Sequence, residues 1–140
     1  MTNRDIAEQI VQAIRREDAE AYAKLFAEDA ILEHPLAAGP LQGRALIRDG
    51  EQAIFDAFSD VDVELRSFVS EGSRVAVEVV LRATNTGPID LGDGEPIQPT
   101  GRRIEVPAAW IFEFGPDGLV SAERDYFDTA ALMSQLGLGP

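Results

Sequence analysis

The sequence contains no cysteine and only one histidine. Without cysteine the chain can form no disulfide, no thiol nucleophile and no cysteine-ligated metal site. No apolar run approaches the roughly 20 residues that a membrane-spanning helix needs. The first residues, Met1-Thr2-Asn3-Arg4-Asp5, lack the apolar core of a signal peptide. We therefore expect a cytoplasmic protein that does not associate with membranes.

Positive charge is also scarce. The chain has 12 basic and 25 acidic residues, which gives a net charge of −13. An acidic surface repels nucleic acids and anionic membranes, so neither is expected as a partner. The acidity is typical of a surface that keeps a protein in solution. With 140 residues, of which 45% are hydrophobic, the chain suits one domain over residues 1–140 built on one core.

The first half of the chain has the spacing of amphipathic helices. Asn3 is a suitable N-cap for a first helix that we expect to end near Arg16, because apolar residues recur three and four positions apart. Asp18 can cap a short second helix. A short strand is predicted over residues 30–33, and a third helix over residues 45–58.

From residue 61 the hydrophobic period changes to two, which is typical of half-buried strands. Four antiparallel strands are predicted, over residues 61–67, 75–82, 104–114 and 119–127, followed by a last helix over residues 130–136. Helices followed by a run of strands indicate an α+β fold, in which the N-terminal helices cover one face of a curved antiparallel sheet. Such a cone-shaped α+β barrel encloses an apolar cavity that suits a small ligand.

Two polar sites interrupt these apolar elements. Arg124-Asp125-Tyr126-Phe127-Asp128 ends the last predicted strand, where a buried carboxylate would lose its hydration. The single histidine, His34, ends the strand of residues 30–33. If the fold brings His34 and Asp125 together, they form an acid/base pair in an apolar pocket. One histidine with scattered carboxylates is not a metal-ligand set, so no metal is expected.

Several motifs resemble the nuclear transport factor 2-like superfamily, and within it the SnoaL-like polyketide cyclases and the limonene-epoxide-hydrolase-like enzymes. Leu25-Phe26-Ala27-Glu28-Asp29-Ala30 resembles the start of the superfamily, and Ser134-Gln135-Leu136-Gly137 the SnoaL-like C-terminus. Thr84-Asn85-Thr86-Gly87 with Pro99-Thr100-Gly101-Arg102 resembles the SnoaL-like signature, and residues 124–128 resemble the epoxide hydrolases. The resemblance implies a homodimer that packs the outer sheet faces together. It also implies a small, apolar, oxygenated substrate, bound without metal or organic cofactor.

The resemblance also implies roles for individual residues. Asp125 matches the base that activates water in the epoxide hydrolases, although a structural aspartate bonded to backbone amides or to an arginine would look the same. His34 matches a water-positioning asparagine there and the aspartate base of ketosteroid isomerases; the alternative is a histidine bonded to backbone. Trp110 either lines the substrate pocket or is a core residue. The other expected substrate contacts are Leu32, Phe58, Val79, Leu81, Phe112 and Glu123.

Glu123 and Asp128 each have two interpretations. Alternation places Glu123 on the same strand face as Asp125, where it is either a second pocket carboxylate or a residue near the pocket mouth. Asp128 precedes the last helix and is interpreted as its N-cap rather than as a catalyst.

The chain departs from two enzyme types in this superfamily. Val79 and Leu81 occupy the positions of the Arg-x-Asp pair of the epoxide hydrolases, and Leu32 that of their tyrosine. The acid that protonates an epoxide oxygen is therefore missing unless His34 supplies it. Ile10 and Trp110 replace the tyrosine and the acid of the ketosteroid isomerases, so steroid isomerisation is rejected.

The leading hypothesis is cofactor-free acid/base catalysis. Asp125 would remove a proton from carbon or water, and His34 would donate or shuttle the proton. Cyclisation, isomerisation or elimination of a polyketide- or terpenoid-like substrate fits best. Epoxide opening is the nearest alternative, and a non-catalytic ligand-binding or dimerisation module is the other.

Overall fold

A computed structural model describes residues 2–92 and 94–139. Helices and strands alternate early in the chain, and strands follow without interruption later. In chain order the elements are α1 (Asn3–Arg15), α2 (Ala19–Ala23), β1 (Phe26–Glu33), β2 (Leu41–Gln42), α3 (Arg44–Ala57), β3 (Phe58–Glu71), β4 (Arg74–Asn85), β5 (Arg103–Phe114), β6 (Val120–Phe127) and α4 (Thr129–Gln135). The predicted α+β class is confirmed. Within the described ranges, no helix is long and apolar enough to cross a membrane.

Helix α1 begins one residue earlier than predicted. The hydroxyl of Thr2 accepts a hydrogen bond from the Asp5 N–H at 3.1 Å, and the Asp5 carboxylate accepts one from the Thr2 N–H at 2.8 Å. This reciprocal pair is a capping box, which makes Thr2 the N-cap in place of Asn3. The apolar stripe of α1 is buried, as its spacing predicted.

Two aspartates cap the shorter helices. Asp18 accepts a hydrogen bond from the Ala21 N–H at 3.0 Å at the start of α2. Asp128 accepts one from the Ala131 N–H at 3.0 Å at the start of α4. The N-cap interpretation of both residues is therefore confirmed. The chain leaves α4 at Gly137, whose φ of +77° suits glycine.

The sheet has six strands in the order β2-β1-β6-β5-β4-β3. Its neighbours pair antiparallel except β1 and β6, which are parallel. The expectation of a purely antiparallel sheet was wrong at this pair. Parallel neighbours need a long crossover, and here α3 with the β3–β5 meander provides it.

The long strands bend around the helices. The pairing of β3 with β4 shifts register between Ser59 and Asp62 and again between Leu65 and Ser67. Bulges of this kind bend a strand and increase its twist. The core divides into a large cluster that includes α1 and α2 and a smaller one that includes α4. Side chains of both clusters border the candidate site.

Asn85 ties the end of α3 to the loop between β4 and β5. Its side chain is wholly buried. The amide nitrogen donates to the carbonyls of Ala57 and Gly87, both at 3.0 Å. The amide oxygen accepts from the Thr100 N–H at 2.7 Å and from the Thr100 hydroxyl at 3.0 Å. These four hydrogen bonds of Asn85 fix the loop beside the candidate site.

We expect Asn85→Ala to lower the free energy of unfolding by about 3–5 kcal/mol, because a wholly buried side chain loses four hydrogen bonds and leaves buried or half-buried partners unsatisfied. Urea unfolding followed by circular dichroism measures the loss. Thr86→Ala is the matched control, since it removes only the exposed Thr86–Ser59 hydroxyl contact. If Asn85→Ala lowers the free energy of unfolding no more than Thr86→Ala does, the hydrogen bonds of Asn85 do not stabilise the fold.

Candidate active site

A cavity of about 100 Å³ lies between the helices and the sheet. Most of its wall is aliphatic or aromatic. Its polar groups are the side chains of Tyr22, His34, Glu51, Glu123 and Asp125. They come from α2, the end of β1, α3 and β6. Each element therefore brings ionisable groups into a mostly apolar space, where ionisation is costly.

Strand β6 supplies two of the carboxyl groups. Glu123 and Asp125 are two residues apart and share the inner face of the strand, as alternation predicts. Asp125 pairs in register with Trp110 on β5, and Glu123 pairs with Phe112. Glu123 is only 2% exposed, which settles its two interpretations in favour of the pocket. The hydroxyl of Tyr22 donates a hydrogen bond to Glu123 Oε1 at 2.9 Å.

Asp125 and Glu123 form a hydrogen-bonded pair of buried carboxyl groups. Asp125 Oδ1 is buried and has no N–H or O–H donor beside it in the described part of the chain. Burial, followed by the negative charge of Glu123, raises the pKa of Asp125 well above its usual value. Burial also raises the pKa of Glu123, although hydrogen bonds from Asp125 and Tyr22 oppose that rise. Asp125 therefore holds its proton more tightly than Glu123 does and donates a hydrogen bond to Glu123.

Glu51 was not predicted as a site residue from the sequence. The residue is half-buried as a whole, yet its carboxyl group faces the cavity from α3. Burial, followed by the charge of Glu123, raises the pKa of Glu51 to about 8. Glu51 stands four residues after Ile47 and three before Ile54, on the apolar stripe that predicted α3. A carboxylate within an apolar stripe is the signal that could have identified it.

His34 lies on the same cavity but is not paired with Asp125 as predicted. Its Nδ1 accepts a hydrogen bond from the Leu36 N–H at 3.1 Å, so the proton of the neutral ring is on Nε2. Burial lowers the pKa of His34 to about 4. The ring meets Phe127 edge-on, with 5.3 Å between centroids. At neutral pH His34 is thus an uncharged hydrogen-bond donor.

We expect the His34 ring to stay neutral, with the proton on Nε2, down to about pH 4. Nitrogen-15 NMR of the imidazole measures both the tautomer and the titration. The spectrum is unambiguous because the chain has one histidine. A midpoint near 6.5, the value of a free histidine, would contradict this account.

The remaining predicted contacts divide into three groups. Trp110, Phe58 and Leu81 line the cavity. Leu32 borders a neighbouring cavity instead. Val79 and Phe112 are fully buried in the larger core cluster and do not belong to the cavity wall. Alternation predicted their face of the sheet correctly, but it carries no information on how far along a strand the cavity extends.

Comparison with known proteins identifies the family of the chain. A family model described as a SnoaL-like domain matches residues 7–123. No curated protein gives a significant match. Among solved structures, a candidate SnoaL-like polyketide cyclase from Jannaschia sp. CCS1 is 18% identical, with a TM-score of 0.84 over 99% of this chain and 93% of that chain.

Two further structures are similar at low identity. AclR, a candidate hydroxylase from Streptomyces galilaeus, is 24% identical, with a TM-score of 0.78 over 99% of this chain and 97% of that one. SalBIII, an epoxide hydrolase/cyclase-like enzyme in pyran ring formation of the polyether salinomycin, is 21% identical, with a TM-score of 0.73 over 95% and 92%. At these identities the structures establish the fold.

Proposed function

Because the chain belongs to the SnoaL-like domain family, we propose that it is an enzyme that uses cofactor-free acid/base catalysis on a small, apolar, oxygenated substrate of the polyketide or terpenoid kind. One observation carries the proposal: a hydrogen-bonded pair of buried carboxyl groups faces an apolar cavity together with the Glu51 carboxyl group, whose pKa is about 8, and a neutral imidazole. The reaction we favour is cyclisation, isomerisation or elimination.

The Asp125–Glu123 pair is the base in this proposal. It holds one proton and one negative charge, so it can accept a proton from a substrate carbon or from water. Its raised pKa values make it a stronger base than a solvent-exposed carboxylate. The hydrogen bond from Tyr22 holds Glu123 in place.

Glu51 and His34 act on the substrate oxygen. Glu51 is protonated below about pH 8 and can give that proton to a developing enolate or alkoxide. His34 donates a hydrogen bond to the same oxygen from Nε2, since Nδ1 is occupied by the Leu36 N–H. In an isomerisation, the pair takes a proton from a substrate carbon and Glu51 gives a proton to the substrate oxygen. The proton on the pair then returns to Glu51, which restores both groups to their starting protonation states.

Epoxide opening is the second candidate, and Glu51 is the observation that favours it. Val79 and Leu81 occupy the positions of the Arg-x-Asp pair of the epoxide hydrolases and cannot donate a proton. Glu51 can supply that proton from α3 to the epoxide oxygen. The Asp125–Glu123 pair would then activate water or an internal hydroxyl of the substrate.

In a non-catalytic module, we expect Asp125 to form an ion pair and side chains to fill the cavity. None of the ion pairs among residues 2–92 and 94–139 includes Asp125. A cavity stands beside its carboxyl group. Both observations support an enzyme over a module.

Isotope exchange tests the proposal without knowledge of the natural substrate. In D₂O the enzyme should incorporate deuterium at the acidic carbon of 1,3-diketone or β-keto ester fragments, which NMR follows. In H₂¹⁸O, label in the diol products of a panel of racemic epoxides reports opening by water. Catalysis of either reaction above the rate of an Asp125→Asn control supports the proposal and decides between its two forms. Fragment binding without any exchange or opening would instead indicate a ligand-binding module.

We also propose a homodimer formed through the outer face of the sheet. Tyr126 is 56% exposed on β6, and Arg82 of β4 forms ion pairs there with Glu64 and Glu105 at 3.1 Å and 2.9 Å. The family resemblance supports this association. Size-exclusion chromatography with light scattering measures the oligomeric state.

A further inference from the structure

A second cavity, of about 370 Å³, lies next to the first; we call it the outer chamber. One side is α3, and the other sides are residues 32–41 and the loop segment 89–92. Its wall is mostly aliphatic, with leucine, isoleucine and alanine side chains from all three segments. An apolar space of this size can hold a hydrocarbon chain.

The outer chamber and the inner cavity share a wall. Five residues line both spaces: His34, Leu36, Glu51, Ile54 and Phe58. The two polar groups that act on oxygen in our proposed function therefore stand at the junction of the two spaces. A molecule that extends from the outer chamber toward the Asp125–Glu123 pair would contact both of them.

The two volumes differ in what they can hold. Small-molecule sites usually measure about 300–1,000 Å³. The inner cavity, at about 100 Å³, is too small for a polyketide- or terpenoid-sized molecule. The outer chamber, at about 370 Å³, falls in the usual range but does not contain Glu123 or Asp125. A substrate of ordinary size that extends from the outer chamber to the carboxyl pair would occupy both.

The charge of the two spaces restricts the ligand further. In the described part of the chain, no lysine or arginine lines either of them. The acidic groups Glu51, Glu123 and Asp125 line the inner cavity, and Asp90 lines the outer chamber. An anion would enter without a counter-charge and close to carboxylates, which is strongly unfavourable.

We propose that the inner cavity and the outer chamber together bind one elongated, uncharged molecule, with an oxygenated head beside the carboxyl pair and an aliphatic tail between α3 and segment 89–92. This inference rests on the proposed function for the reaction at the head, and it adds the shape and charge of the substrate. The chemistry then takes place at one end of the molecule, and the tail contributes affinity.

A chain-length series tests the inference by binding alone. The probes are methyl ketones from butan-2-one to undecan-2-one, and the reporter is the fluorescence of Trp110, the one tryptophan of the chain, which lines the inner cavity. Once the head fills the inner cavity, affinity should rise roughly fourfold per added methylene, the effect of burying one such group. Fatty carboxylates of equal length should bind at least about a hundredfold more weakly than the ketones.

Variants of the outer chamber make the test specific. Ala53 lines the chamber from α3. Ala53→Phe should abolish the gain with chain length and leave butan-2-one binding unchanged. Ala38→Phe, which narrows the chamber from the opposite side, should do the same. The matched control is Gln52→Phe, which is exposed like Ala53 and Ala38 but lies outside both walls, so it should keep the wild-type series.

Two results would overturn the inference: affinity that does not depend on chain length, or a gain that both chamber variants retain. Tighter binding of the carboxylates would also overturn it. The assay measures binding and no turnover, so its outcome does not depend on catalysis. A failure of the two-space inference is therefore distinguishable from a failure of the proposed catalysis.

Discussion

Replacing Asp125 with asparagine should lower the turnover number of the accepted substrate at least about a hundredfold, the usual scale for losing a positioned acid or base. Asparagine has nearly the same shape and can still donate a hydrogen bond to Glu123. It cannot release or accept the proton that the pair shares, so chemistry is lost while the fold and the cavity stay intact. Steady-state kinetics on a substrate found by isotope exchange gives the ratio.

Asp128→Asn is the matched control for that variant. It makes the same chemical change three residues along the chain, where the side chain caps α4 by accepting the Ala131 N–H. Asparagine is as good an N-cap as aspartate, so turnover and stability should remain near those of the wild type. Near-wild-type turnover of Asp125→Asn itself would remove Asp125 from the mechanism.

Replacing Glu51 with glutamine should remove a loss of stability that occurs in the wild type as pH rises. The folded protein holds a proton on Glu51 up to about pH 8, whereas the unfolded chain releases it near 4.5. Between these values the unfolded state binds fewer protons, so the free energy of unfolding falls with rising pH. At pH 9 the variant should be more stable than the wild type by about 3 kcal/mol, which allows for partial access of water to this half-buried residue.

Urea unfolding at a series of pH values measures this difference. The two proteins should be equally stable near pH 4 and diverge up to about pH 8. Glu28→Gln, at an exposed position of β1, is the control and should follow the wild type throughout. A constant difference between Glu51→Gln and the wild type from pH 4 to 9 would show that Glu51 is ionised in the folded state.

The same proton determines how turnover depends on pH. Wild-type turnover should fall above about pH 8, where Glu51 loses the proton that it gives to oxygen. Glu51→Gln should be slower at pH 7 and should lack this alkaline limb. An unchanged limb in the variant would assign it to a different group.

The helices and most strands could be predicted because hydrophobic spacing directly encodes which side of an element is buried. The stripe of α1 and the alternation along β4, β5 and β6 gave these elements to within a few residues. The parallel pairing of β1 with β6 could not be predicted in this way. It joins segments roughly ninety residues apart, through contacts that leave no local pattern.

The candidate site was partly predictable for the same reason. Alternation correctly placed Glu123 and Asp125 on one face of β6. The position of the single histidine at the end of a strand identified His34 as a candidate. The pairing of Asp125 with Glu123 rather than with His34 depends on the Leu36 N–H that occupies Nδ1 and on the Tyr22 hydroxyl that holds Glu123. The Leu36 contact is local, between residues two apart, but the Tyr22 contact arises only when α2 and β6 pack together.

The central claim is that buried carboxyl groups keep protons at neutral pH and use them for chemistry. Carbon-13 NMR of the carboxyl carbons of Asp125, Glu123 and Glu51, with single-residue variants for assignment, measures those protons directly. We predict that Asp125 and Glu51 are protonated at pH 7 and that Glu51 titrates near pH 8. If all three carboxyl groups titrate below pH 5, as exposed ones do, the acid/base account is contradicted.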